Sequence, residues 1–92
     1  MIKTIANFSV EYLQILDENG KTDKKLMLSL PDSLIRKMYE IMILTRTFDE
    51  KAVKLQRGGR LGTYAPIKGQ EACQIPAALL MQKGDLVFPA FR

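Results

Sequence analysis

Residues 32–57 read DSLIRKMYEIMILTRTFDEKAVKLQR, and the rest of the chain is best understood outward from the helix they predict. Leu34, Met38, Ile41, Thr45, Phe48, Ala52 and Leu55 recur at alternating steps of four and three, which is one face of a helix, and Ile35 and Met42 widen the stripe. Pro31 and Asp32 mark the start: a fixed φ suits a first turn, and an acid there meets the positive end of the helix dipole. Gly58 and Gly59 mark the stop, after basic Lys54 and Arg57. A helix of about seven turns is long for a chain of 92 residues. Its apolar face needs a large body to cover it.

Upstream, residues 8–16 are rich in strand formers, and Asp17-Glu18-Asn19-Gly20 follows as a turn carrying the Asn-Gly hairpin signal. The return arm, Lys21-Thr22-Asp23-Lys24-Lys25, is charged, and only Leu26-Met27-Leu28 could pair. A lone two-stranded hairpin is marginal in water. Residues 1–30 are therefore expected to form an extended arm lying on a larger body.

Downstream, residues 59–69 carry three glycines and Pro66 and read as loop. A second helix is expected from about Gln70 to Lys83, with Gly84 as its stop. Pro76 inside it removes the hydrogen bond to the carbonyl of Ala72, so a kink or an irregular first turn is expected. Leu86-Val87-Phe88 reads as the start of a strand, and Pro89 cuts it short. The expectation is a mostly α piece: extended arm over 1–30, then long amphipathic helix, loop, second helix and strand start over 31–92. A finished domain seldom stops in such a place, so the sequence suggests part of something larger.

Composition bounds the function classes. With 47% hydrophobic and 26% charged residues the chain is globular in character. Histidine is absent, which excludes His-based metal sites and leaves acid–base chemistry to carboxylates or lysines. The net charge of +4 and the run Lys51, Lys54, Arg57, Arg60, Lys68 raise the question of phosphates. A solvated helix face is the simpler account. Gly59-Arg60-Leu61-Gly62 fits the GxxG of KH RNA-binding domains, but there a helix follows the loop directly, and here Thr63 to Lys68 intervene. Neither nucleic acid nor a membrane is expected as a partner. No secretory signal and no apolar run of roughly 20 residues is visible. A single Cys73 excludes an internal disulfide and fits a reducing compartment. A cytoplasmic location is the expectation. Glu71, an acid at a helix start, is expected to serve as a cap or dipole partner.

Four ordered blocks add a resemblance. Leu44-Thr45-Arg46-Thr47-Phe48-Asp49-Glu50-Lys51-Ala52, Leu55 to Pro66, Gly69-Gln70-Glu71-Ala72, and Asp85 to Arg92 together resemble the alpha subunit of pyruvate and branched-chain 2-oxo acid dehydrogenases, which depend on thiamine diphosphate. The resemblance implies an α/β thiamine-diphosphate-binding fold with a helical N-terminal section, which these residues would supply. It implies oxidative decarboxylation of a 2-oxo acid, with acyl transfer to a lipoyl group on an acyltransferase component. It implies a beta subunit in an α2β2 heterotetramer, and Mg2+ beside the cofactor. It carries an aromatic–arginine pair that contacts the cofactor onto Phe91 and Arg92, with phenylalanine where the family usually has tyrosine. Thr63 stands where many relatives carry phenylalanine, and Pro76 where glycine is common. The family's Gly-Asp-Gly…Asn segment for the metal and diphosphate is not among these residues, so the 92-residue chain alone is expected to be inactive. The other reading is a small non-catalytic helical interaction protein using the long helix.

Overall fold

The structure is a computed structural model and describes residues 1–91. Two helices form, α1 over Asp32–Arg57 and α2 over Glu71–Leu79. They pack against each other, and no other pair of elements does among the described residues.

α1 has the bounds its sequence predicts. Pro31 is its N-cap, extended at ψ 139°, and its carbonyl accepts from the backbone N–H groups of Leu34 and Ile35. Asp32 occupies the first turn, Lys54 and Arg57 the last. The end closes as a Schellman motif: Arg60 N–H donates to the Leu55 carbonyl and Gly59 N–H to that of Gln56, with Gly59 at φ 72°. A Cβ at Gly59 would put an L-residue in the left-handed region, so glycine is needed there.

α2 is shorter than expected, ending at Leu79 rather than near Lys83. Further continuation would require the Gln82 N–H to bond back into the helix. Instead it donates to Asp85 Oδ2 at 2.7 Å, while Asp85 N–H donates to the Gln82 carbonyl. A local side-chain turn competes with the last helical turn and wins. Pro76 lies inside α2, which continues through it.

Among the described residues no strand forms. The turn at Asp17–Lys21 is present: Asp17 Oδ1 accepts from the N–H groups of Asn19 and Lys21, at 2.9 and 2.8 Å, and Gly20 takes φ 78°. Pairing beyond it is one antiparallel bridge, Leu16 with Thr22. Leu86-Val87-Phe88 likewise forms no ladder. A strand requires a neighbour, and no other segment among the described residues supplies one.

The core is thin. Met38 and Ala52 are its only buried apolar side chains among the described residues. Leu34, Ile41, Thr45 and Leu55 are half-buried, as the stripe predicts, but Phe48 is 64% exposed. Position 49 is turned inward in its place, because 45 to 49 to 52 is as good a helical step as 45 to 48 to 52. The accessible surface is 8938 Å²; a compact chain of this mass would show about 5,400 Å². The radius of gyration is 19.4 Å, against about 12 Å for a compact domain of this length. Ile2, Ile5, Phe8, Val10 and Tyr12 all stand exposed along the arm. No helix among the described residues is long and apolar enough to cross a membrane.

Candidate functional site

The best-ordered chemistry is a pair of buried carboxylates that hold the 63–70 loop between the two helices. Asp49, on the inner side of α1, is 1% exposed. Its Oδ1 accepts from the Tyr64 hydroxyl at 2.6 Å and from the Ile67 N–H at 2.8 Å. Glu71, the first residue of α2, is 4% exposed. One of its oxygens accepts from Arg46 Nε on α1, and the other accepts from the Gly69 N–H at 2.9 Å. Gln56, with its amide turned to satisfy both groups, meets the N–H and carbonyl of Tyr64 at 3.2 Å each. Phe48 lays its ring edge-on to Tyr64, with centroids 6.3 Å apart. At the rim, Lys68 and Glu50 form an exposed ion pair at 3.7 Å.

The electrostatics follow from these contacts. The Arg46 guanidinium, then the backbone N–H at Glu71 itself, hold the Glu71 carboxyl down at about 2. The Tyr64 hydroxyl, then the Ile67 N–H, lower that of Asp49. The same bond read from the other side pushes the Tyr64 phenol up to about 12. Hydrogen bonding to Glu71 raises Arg46. Carboxylates this well satisfied are poor bases, and a phenol this weakly acidic is a poor acid at neutral pH. The contacts of the cluster tie the 63–70 loop to both helices.

Glu71 sits in the first turn of α2, but it makes no side-chain cap to the helix, whose N-cap is Gln70; its carboxylate is taken up instead by the Gly69 N–H and by Arg46, a residue the sequence reading leaves without a role. Asp49, Tyr64 and Gln56 were missed as well. One signal was available: an acid midway between Thr45 and Ala52, on the inner face of an amphipathic helix, needs a donor. Phe91 is 89% exposed, and Arg92 lies outside the described residues. Among the described residues, no group of three or more Cys, Asp or Glu side chains is placed to hold a metal ion. Cys73 is exposed as a free thiol.

The residues of this clamp lie within the segment that known proteins share. A family model described as the dehydrogenase E1 component matches residues 39–92, more than half of the chain. The chain belongs to the dehydrogenase E1 component family. It is 41% identical over 83 residues to the pyruvate dehydrogenase E1 component subunit alpha of Staphylococcus aureus, covering 89% of this chain and 22% of that protein. It is 36% identical over 90 residues to the 3-methyl-2-oxobutanoate dehydrogenase subunit alpha of Mycobacterium tuberculosis, covering 96% of this chain and 24% of that protein. The chain thus spans under a quarter of the length of these relatives. No solved structure matches it.

Proposed function

We propose that this chain is the N-terminal helical section of the alpha subunit of a thiamine-diphosphate-dependent 2-oxo acid dehydrogenase. In that setting the subunit takes part in oxidative decarboxylation of pyruvate or a branched-chain 2-oxo acid, with acyl transfer to a lipoyl group on the acyltransferase component. The observation that supports this most is the family match over residues 39–92, together with relatives that are alpha subunits for both kinds of substrate. The open faces of the fold fit the same reading: a section of a larger α/β domain, completed by a beta subunit in an α2β2 heterotetramer, leaves such faces when it stands alone.

Phe91 and Arg92 are the residues proposed to contact thiamine diphosphate, beside a Mg2+ ion held by segments other than this one. Arginine suits a diphosphate because its planar fork gives two parallel charge-assisted bonds. Phe91 would supply a ring face without a hydrogen bond. The hard chemistry of such enzymes resides in the cofactor, and the protein supplies position and electrostatics.

Cofactor titration of the complete heterotetramer tests the assignment. Arg92→Ala is expected to weaken thiamine diphosphate binding by about 30-fold or more, equivalent to about 2–5 kcal/mol, while the assembly stays intact. Arg92→Lys should recover only part of the loss. An unchanged dissociation constant in Arg92→Ala would overturn the residue assignment. The 92-residue chain by itself is expected to show no decarboxylation and no Mg2+-dependent cofactor binding, and one-to-one micromolar binding in a calorimeter would contradict that.

A further inference from the structure

α1 carries a charge pattern that neither the loop clamp nor the catalytic reading uses. Asp32 and Lys54 lie equally far before and after Ile43, as do Arg36 and Glu50, and Glu40 and Arg46. Each of these pairs is one acid and one base. At about 100° per residue, all six fall on the side of α1 that Ile43 marks, with Tyr39 and Thr47 among them. The side buried within this chain, around Met38, Asp49 and Ala52, is roughly 120–180° away.

The Ile43 side is open. Asp32, Arg36, Glu40, Glu50 and Lys54 are exposed, Ile43 is half-exposed and Tyr39 is exposed. Arg46 is held through Nε by Glu71, yet 42% of its side chain remains accessible. A shallow cavity of about 250 Å³, lined by Tyr39, Met42, Ile43, Arg46, Thr47 and Glu71, lies at the centre of this face.

We propose that this face docks a second copy of the chain, with the two α1 helices antiparallel about a two-fold axis at Ile43. A two-fold axis there sets each residue before Ile43 against the one equally far after it on the other copy. Asp32 then faces Lys54, Arg36 faces Glu50 and Glu40 faces Arg46, each pair occurring twice. Ile43 meets itself, and Tyr39 meets Thr47 beside the central cavity. A parallel, in-register pair would set every one of these charges against its own kind, so the pattern selects the antiparallel arrangement. Exposed ion pairs add little affinity apiece, and the apolar centre is small. The contact is accordingly weak, with a dissociation constant on the order of 10–1000 μM, and dependent on salt. The proposal does not depend on the catalytic reading.

Sedimentation of the full 92-residue chain across that concentration range, with helix content followed by circular dichroism, is the test. Reversible dimerisation that weakens at high salt is expected. Arg36→Glu and Glu50→Arg should each weaken it by roughly tenfold, and the two together should restore it. Glu50 also pairs with Lys68, so restoration in the double variant is the informative result. In a Cys73→Ser background, Ile43→Cys should oxidise in air to a covalent dimer, because the two-fold axis at Ile43 brings residue 43 beside itself, and the charge-reversal pair above separates this from a parallel pairing. Lys37→Cys, on a different side of α1, should not. A chain that stays monomeric at the highest concentration would overturn the proposal, as would a double variant no better than the single ones. So would cross-linking through position 43 no faster than through position 37.

Discussion

The Tyr64 hydroxyl donates to Asp49, and the proton of that bond stays with the phenol. A phenol whose folded value is about 12, against 10.0 when free, favours the folded state at all pH below 10. That contribution is lost as pH rises through about 12. Following phenolate absorbance, Tyr64 should deprotonate late in the titration, and Asp49→Asn should bring it back toward 10.0. Glu71 works in the opposite sense. Its folded value of about 2 lies below the free value of 4.5, so its contribution is complete above 4.5 and disappears as pH falls through about 2. The helix signal of the chain is expected to decline across that acid window, and Glu71→Gln should abolish this component of the decline. The residue scale is also where the sequence was least legible. Arg46 and Glu71 are 25 positions apart, and no local pattern brings together two groups so far apart in the chain. Asp49 was readable in principle, but a choice between two helical steps of similar quality assigned the inner position to Phe48.

The two helices differ in how well local rules describe them. α1 matched its expected bounds because each of its signals acts within a turn: Pro31 and Asp32 at one end, the Gly58-Gly59 stop at the other. α2 ended early because a turn held by Asp85 recruits the Gln82 N–H, a competition invisible to periodicity. The strand start expected at residues 86–88 forms no ladder for a different reason, since pairing needs a neighbouring segment and sequence propensity says nothing of whether one is within reach. Pro76 gives the element scale its own prediction. It sits in the interior of a nine-residue helix, where proline costs up to about 3 kcal/mol relative to alanine. Pro76→Ala is expected to stabilise α2 by about 1–3 kcal/mol, seen as a gain in helix content and a higher denaturant midpoint. A loss of helix content instead would show that the proline holds a contact that matters more than the missing hydrogen bond.

On the scale of the whole molecule, the exposed arm and the half-covered long helix dominate. Apolar residues surround roughly two-thirds of the circumference of α1, yet only a narrow arc of it is buried by this chain. Hydrophobic dyes should therefore bind the 92-residue chain, and a compact monomer without dye signal would contradict the open surface described above. That surface also governs how the chain responds to temperature. A domain of this length with ordinary burial changes heat capacity by about 1.1–1.4 kcal/mol/K on unfolding. Folding here removes about 40% of the extended-chain surface, where about 60–65% is usual, so the change should be about 0.7–0.9 kcal/mol/K. The stability curve is then shallow, its thermal transition is broad, and cooling weakens the fold only slightly. Any partner that covers these faces should sharpen the transition, making calorimetric width a measure of how much of the chain has found its cover.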